Sequence, residues 1–216
     1  MARVRARGVE DIRLVRRVSA STLPAHPRRQ TEDTINSFPN YTAQIAHPTQ
    51  PNHTYSIHFI ALFSANPAAV PVIATHGWPG SILEFIPLLQ HLTQKYTPET
   101  LPVHLIVPSL VGYGFSSPPP VDVDFATKDN ATLFDVLMRG LGFDKYIAQG
   151  GDVGSLVARF LGELDACKGE LGTTMCGVLG VLRRTADPAH STLSSPGSTS
   201  RHGLSSFGPR LHQPCI

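Results

Sequence analysis

The residues best suited to chemistry lie in one short segment, Gly150-Gly151-Asp152-Val153-Gly154. A nucleophile elbow needs small residues two positions before and two after the reactive side chain, because a Cβ there would strike neighbouring backbone. The central Asp152 is ionised at neutral pH, since an unperturbed Asp has a pKa of about 3.9. Such a carboxylate can attack an sp³ carbon and form an alkyl-enzyme ester. We therefore predict that Asp152 is a nucleophile, although a helix-capping role for it stays open.

A second candidate motif is His76-Gly77-Trp78-Pro79-Gly80-Ser81, which follows a short apolar run. A turn of this kind can present a backbone N–H, here that of Trp78, to a developing oxyanion, and the second N–H would come from Val153. Each such donor is typically worth about 3 kcal/mol in the transition state. We expect Trp78 to line the pocket and His76 to hold the turn through its ring rather than act as a base. The predicted structural residues of the two motifs are His76, Gly77, Pro79, Gly150 and Gly154.

Two other polar features carry less weight. The segment Pro108–Ser117 reads PSLVGYGFSS, and it predicts only a loop after a strand. The carboxylates that follow it are better explained as a solvated face than as a metal site: Asp122, Asp124, Asp129 and Asp135. No metal or cofactor site is predicted.

Alternating strand and helix signals surround these motifs. The predicted strands are 55–63, 70–75, 103–107 and 145–149, and apolar residues at helical spacing indicate helices at 82–95, 133–141 and 156–164. This repetition predicts an α/β fold, a mostly parallel sheet with helices on both faces. In such sheets ligands bind beyond the carboxyl ends of the strands, where the glycine-bearing turns fall. The motifs should therefore converge on one edge of the sheet.

The chain divides into three predicted zones. Residues 1–54 show little periodicity and several prolines, residues 55–168 carry the strand–helix alternation, and residues 169–216 include a Ser/Pro/Gly-rich run that predicts disorder. The net charge of +2 gives no reason to expect a nucleic-acid partner. No apolar stretch is long enough for a membrane span, and no signal-peptide pattern opens the chain. A cytoplasmic protein with reduced cysteines is expected.

Three segments together resemble one family. HGWPGS, PSLVGYGFSS and QGGDVGS, in this order and at these separations, are similar to the microsomal-type epoxide hydrolases of the α/β-hydrolase superfamily, especially fungal members. The segments EDTINSFPNYTAQI and YSIHFIALFS resemble the end of that family's N-terminal domain and its first core strands. The resemblance runs from about Glu32 to Lys168, and it departs from the family at Val111, where Pro is usual, and at Val153, where Trp or Ile is common.

The resemblance implies a mechanism and a substrate class. Asp152 would open a small-molecule epoxide to an alkyl-enzyme ester, and a late histidine, oriented by an acid, would activate the water that hydrolyses the ester to a diol. Cap tyrosines would protonate the epoxide oxygen. None of the late histidines, His190, His202 and His212, matches the family's catalytic histidine, and neither the acid nor the tyrosines can be placed.

These departures lead us to expect a chain truncated or frameshifted after about Lys168, without the cap and the C-terminal strands, and weakly active or inactive. Two alternatives stay open. One is a haloalkane-dehalogenase-like hydrolase, which shares the Asp elbow. The other is a non-catalytic remnant that self-associates through an exposed sheet edge.

Overall fold

The fold is built on one seven-stranded sheet, seen in a computed structural model that describes residues 9–15 and 27–173. The strand order across the sheet is β1-β2-β3-β5-β4-β6-β7. The strands are β1 (Val9–Val15), β2 (Asn40–His47), β3 (Gln50–Leu62), β4 (Val70–Thr75), β5 (Val103–Pro108), β6 (Tyr146–Gly151) and β7 (Cys167–Thr173). Residues 174–216, with the three late histidines and most of the predicted tail, lie outside the described part of the chain.

Four helices connect and cover the strands: α1 (Pro27–Asn36), α2 (Ile86–Lys95), α3 (Thr127–Gly140) and α4 (Val153–Gly162). A short 3₁₀ turn, Ile82–Phe85, precedes α2, so the helix predicted over 82–95 is in fact two segments. Pro87 occupies the first turn of α2, where its missing N–H costs no hydrogen bond. The predicted α/β class is confirmed.

Strand directions divide the sheet into two halves. The strands β5, β4, β6 and β7 are mutually parallel, as predicted. The strands β1, β2 and β3 pair antiparallel, and β3 also runs antiparallel to β5. The sheet is therefore mixed, and its parallel half carries the predicted alternation of strands and helices. Because β4 leads to β5 on one side and β6 leads to β7 on the other, the loops after these two neighbouring strands leave in opposite directions.

The core lies on both faces of this sheet, because alternate strand residues point to opposite sides. On β3, Phe59 packs in the cluster beneath α3 and α4, while Ile60 packs in the cluster beneath α1 and α2. Ile73 and Ala74 on β4 divide in the same way. The helices thus sandwich the sheet and hold the carboxyl ends of β4 and β6 in fixed positions.

The first zone contributes more regular structure than its prolines suggested. It supplies β1, α1 and β2, and β3 begins at Gln50, five residues before the predicted start. In β2 the burial alternates along the strand, with Ala43 and Ile45 fully buried. The predicted boundary at residue 54 therefore falls inside a strand of the sheet.

Regular structure also continues beyond the predicted limit of Lys168. Strand β7 pairs parallel with β6 through Thr173, so a further core strand follows the last predicted helix. In the described part of the chain β1 and β7 are the outermost strands, and the predicted self-association would use one of them. None of the described helices has the length and apolar character that a membrane crossing requires.

Of the four carboxylates after the third motif, Asp122 and Asp124 are exposed, as predicted for a solvated face, while Asp129 and Asp135 have structural roles. Asp129 accepts a hydrogen bond from the backbone N–H of Ala126 at 2.7 Å and so caps the start of α3. Asp135 is buried, accepts from the Tyr146 hydroxyl at 2.8 Å and pairs with Arg139. The prediction of a solvated face is therefore wrong for Asp135. Within the described residues no cluster of three metal-ligating side chains occurs.

Candidate active site

Asp152 stands at the tip of a sharp turn between β6 and α4. Its backbone has φ 50° and ψ −119°, and it is the one non-glycine residue with positive φ in the described chain. Such a conformation costs on the order of 1–3 kcal/mol and persists only where the surroundings enforce it. The side chain does not cap α4 by a hydrogen bond to the N–H groups of the following turn, so the helix-capping role does not explain it.

Two glycines make this turn sterically feasible. A Cβ on Gly150 would lie 2.0 Å from the carbonyl oxygen of Gly154, and a Cβ on Gly154 would lie 2.3 Å from that of Thr75. The Thr75 hydroxyl donates to the carbonyl oxygens of Gln149 and Gly154 at 3.1 and 3.0 Å, which ties the end of β4 to the turn. Close backbone contact between the ends of β4 and β6 is what excludes a side chain at these positions.

Backbone N–H groups from both strand ends hold the carboxylate. The Trp78 N–H donates to Oδ2 of Asp152 at 2.8 Å, and the N–H of Val153 also donates to the carboxylate. Hydrogen bonds to the charged form favour it, so these two donors, Trp78 first, hold the pKa of Asp152 below its ordinary value. The amino end of α4 lies directly behind and adds a favourable dipole. Asp152 is thus an anion at neutral pH, and its carboxylate lies in a cradle of two backbone N–H donors.

His76 orients the peptide unit that provides the first donor. Its ring is fully buried, and its Nε2 accepts from the Leu110 N–H at 3.1 Å. Nδ1 must then carry the proton, and it donates to the carbonyl oxygen of Gly77 at 3.0 Å. That carbonyl and the Trp78 N–H belong to one planar peptide unit, so the histidine fixes the direction in which the N–H points. Burial lowers the pKa of His76, which keeps the ring neutral.

The loop that follows β5 closes the back of the site. Tyr113 packs edge-on against His76, with ring centroids 5.5 Å apart. The Val111 N–H donates to Oδ1 of the buried Asn130 on α3 at 2.9 Å. This loop therefore joins the His76 turn to the helix layer.

The structure brings the predicted site residues together, although they are about 75 positions apart in sequence. It does not place Trp78 in an enclosed pocket: 63% of its surface is exposed, and Pro79, joined to it by a cis peptide bond, is exposed too. A cavity of about 390 Å³ lies instead at the opposite end of the sheet, near Tyr41, Phe63 and Tyr96. Asp152 itself is partly exposed.

Sequence reasoning missed three contributors to this geometry. Leu110 acts through its backbone N–H, which no side-chain pattern reveals. Ser155 donates its hydroxyl to the carbonyl oxygen of Asp152 at 2.5 Å, one turn into α4. Glu84 accepts from the N–H of Gly77 at 3.4 Å, because the 3₁₀ turn folds back onto the motif. The spacing of seven residues between Gly77 and Glu84 was the sequence signal for this contact.

Comparison with known protein families identifies two matching segments. A family model described as the epoxide hydrolase N terminus matches residues 12–85, and the model of the alpha/beta hydrolase fold matches residues 70–166. A protein of Dothistroma septosporum, provisionally named as an epoxide hydrolase, is 49% identical over 142 residues, which cover 65% of this chain and 33% of the relative.

Two solved structures are similar to the described fold. The structure of Aspergillus niger epoxide hydrolase is 51% identical with a TM-score of 0.63, and the match covers 69% of this chain and 38% of that one. The juvenile hormone epoxide hydrolase of the silkworm Bombyx mori is 30% identical with a TM-score of 0.58, covering 70% and 39%. The chain thus spans about a third of the length of the first curated relatives it matches.

Proposed function

We propose, from the premise that the chain belongs to the epoxide hydrolase family of α/β hydrolases, that Asp152 opens small-molecule epoxides to an alkyl-enzyme ester. The observation that carries the proposal is the 2.8 Å hydrogen bond from the Trp78 N–H to Asp152 Oδ2 on an elbow with strained backbone. This bond leaves the second carboxylate oxygen, Oδ1, as the reacting atom.

The first step is a displacement at carbon. Oδ1 of Asp152 forms a C–O bond to an epoxide carbon, the ring C–O bond breaks, and the released alkoxide takes a proton from water. The lowered pKa of Asp152 keeps the nucleophile ionised. Oδ2 becomes the carbonyl oxygen of the ester and stays hydrogen-bonded to the Trp78 N–H, which pre-orients the carboxylate for attack.

The second step, hydrolysis of the ester, uses the same cradle. Water adds to the ester carbonyl carbon, and negative charge develops on the former Oδ2, where the N–H groups of Trp78 and Val153 stabilise it. His76 supports this step by holding the Gly77–Trp78 peptide unit in place. The added water gives one proton to the hydroxide left by the first step, the acyl C–O bond breaks, and the departing alkoxide takes the remaining proton, so that the diol leaves and Asp152 is restored as a carboxylate.

We also propose that this chain hydrolyses the ester slowly. Within residues 9–15 and 27–173, both ring nitrogens of His76 are engaged in hydrogen bonds away from Asp152. The other described histidine near the third motif, His58, is buried behind the loop. A general base is typically worth about 10²–10⁴-fold, and neither of these two described histidines is placed to act as one, so we expect the ester to accumulate.

Intact-mass measurement tests the proposal. The full chain is incubated with styrene oxide, and we expect a species heavier by the whole mass of the epoxide, with the modification mapped to Asp152 by peptide sequencing. The matched control is Asp152→Asn, whose amide keeps the shape of the side chain but is a poor nucleophile. Diol release, followed in parallel, should lag behind adduct formation.

Each outcome identifies a different chemistry. Adduct on Asp152 with slow diol release supports the proposal, whereas an adduct that also forms on the Asn variant would assign the reaction to another side chain. A haloalkane-dehalogenase-like chain would instead gain only the alkyl mass from a chloroalkane and release halide. If neither reagent modifies Asp152, the chain is a non-catalytic member of the family.

A further inference from the structure

A buried network of three hydrogen-bonded polar side chains lies behind the candidate site, and the chemistry proposed above does not use it. Asn40 on β2, His58 on β3 and Ser109 just after β5 are each at most 1% exposed. Burying a polar group is costly unless it is hydrogen-bonded. The three side chains meet this demand with one another: His58 Nε2 lies 2.9 Å from Asn40 Oδ1, and His58 Nδ1 lies 3.0 Å from Ser109 Oγ.

The hydrogen bonds of the Asn40 amide group determine which atoms of this buried network donate and which accept. Its amide nitrogen donates to the carbonyl oxygens of Ile35 and Phe38, both at 2.9 Å, so its Oδ1 must accept. The proton of His58 is therefore on Nε2, and Nδ1 accepts from the Ser109 hydroxyl. Burial lowers the pKa of His58 to about 4, so the neutral ring persists at neutral pH.

Ser109, at the other end of the buried network, anchors the start of the loop that follows β5. The Ser109 N–H donates to the His58 carbonyl oxygen at 2.8 Å, and the Ser116 hydroxyl donates to the Ser109 carbonyl oxygen at 2.8 Å. The backbone and the hydroxyl of Ser109 are thus both anchored. The next residue is Leu110, whose N–H donates to His76.

We infer that Asn40, His58 and Ser109 are positioning residues that hold the Trp78 N–H on Asp152 through Leu110 and His76. The connection is short: Ser109 sets the direction of the Leu110 N–H, which sets the His76 ring, which sets the Gly77–Trp78 peptide unit. This inference rests on the proposed function only for its effect on rate, because the position of the N–H is a property of the resting protein.

The decisive experiment follows the backbone amide proton of Trp78 by NMR in the ¹⁵N-labelled full chain. A hydrogen bond to a carboxylate shifts this proton downfield, and its shift should follow the titration of Asp152. In Ser109→Ala we expect the proton to move upfield and the titration midpoint to rise toward that of an ordinary Asp. The matched control is Tyr146→Phe, which removes another buried hydrogen bond, to Asp135, at the opposite end of β6.

A second pair of variants distinguishes positioning from simple loss of stability. His58→Asn keeps an acceptor near the place of Nδ1 and can retain the bond to Ser109, whereas His58→Gln keeps a donor near the place of Nε2 and retains only the bond to Asn40. Both leave one buried polar group without its partner. We expect His58→Gln to displace the Trp78 amide signal more than His58→Asn does. Equal displacement, or the reverse order, would overturn the inference.

The rate of Asp152 alkylation by styrene oxide supplies the functional readout. Ser109→Ala should react about tenfold more slowly than the parent chain, and Tyr146→Phe at the parent rate, because small misplacements of a reacting group are costly. If the parent forms no adduct, the proposed function fails while the NMR comparison still decides the inference. If the chemical shift of the Trp78 amide proton is unchanged in Ser109→Ala, the buried network only stabilises the fold.

Discussion

At position 152 the backbone carries strain while the side chain gains two hydrogen bonds. The positive φ of Asp152 is unfavourable for any residue with a Cβ, but it raises the carboxylate out of the sheet and into reach of the Trp78 N–H. The same turn needs glycine on either side of Asp152, at positions where a Cβ would meet backbone atoms. The local sequence is therefore explained by the placement of one carboxylate.

The pH dependence of alkylation follows from these hydrogen bonds. Because Trp78 and Val153 hold the pKa of Asp152 below its ordinary value, the nucleophile stays ionised until the pH falls beneath the usual range of an Asp. We expect the alkylation rate to fall to half its neutral-pH value at a pH below the reference Asp pKa of about 3.9. Rates from intact mass at a series of pH values, with short exposures, test this. A midpoint above the reference value would contradict the two-donor cradle.

A glycine substitution tests the close contact between the ends of β4 and β6. In Gly154→Ala the added Cβ would meet the carbonyl oxygens of Thr75 and His76 at 2.3 and 2.6 Å, and backbone atoms cannot move aside cheaply. We expect a loss of about 3 kcal/mol or more in the free energy of unfolding, since overpacking typically costs 1–3 kcal/mol even where side chains can yield. Gly142→Ala is the control: it has positive φ but nothing within 4 Å of the new Cβ, so only backbone strain is added. Urea denaturation should rank Gly154→Ala as the more damaging change.

The geometry of the candidate site was largely predictable at the level of residues, because its motifs have strict steric requirements. The segment 150–154 and the His76 turn each indicate a tight turn after a strand, and parallel strands bring such turns to one edge. The contributions of Leu110 and Ser109 were not predictable, since they depend on backbone direction and on burial set by distant strands. The exposure of Trp78 was also missed, because the sequence Gly-Trp-Pro does not indicate whether other residues cover the aromatic side chain.

Among the elements, those with strong apolar runs were predicted and those defined by their neighbours were not. Runs of Val, Ile and Leu predict strands β4 and β5 directly. Strand β7, with the sequence CKGELGT, has little strand propensity and is a strand because β6 offers it a free edge. The start of α3 at Thr127 was missed by six residues, because its first turn is polar and buries only Asn130 and Ala131.

The capping of α3 gives a prediction at this scale. Asp129 accepts from the Ala126 N–H with one carboxylate oxygen, and its other oxygen lies 3.3 Å from Nε2 of His47 on β2. Asp129→Ala should therefore lower the free energy of unfolding by about 1–2 kcal/mol, the usual cost of removing an N-terminal cap. Asp129→Asn keeps an oxygen for the Ala126 N–H and should recover part of this loss, while Asp124→Ala, at an exposed position, serves as the control. Equal stability of the two Asp129 variants in chemical denaturation would argue against the cap.

For the molecule as a whole, buried histidines make the free energy of unfolding depend on pH. His58 is enclosed between β2, β3 and the loop after β5, with Asn40, Ser109 and the ring of Phe115 as its neighbours, and burial alone accounts for its lowered pKa of about 4. Burial also lowers the pKa of His47, His76 and His104. Protons therefore bind more readily to the unfolded chain than to the folded one wherever these rings are neutral only because they are buried.

The sign of the effect follows from this difference. Because the folded pKa of His58 lies below the unfolded value, its contribution to stability is fully present above pH ~6.5 and is lost as the pH falls toward ~4. His58 alone should lower the free energy of unfolding by about 2 kcal/mol between pH 7 and pH 5. Urea denaturation of the full chain at pH 7, 6 and 5 measures the loss, and His58→Gln, which cannot titrate, should flatten the curve although it starts from a lower stability. A parent chain and a His58→Gln variant with parallel pH profiles would mean that the buried ring does not couple protonation to the unfolding of the sheet.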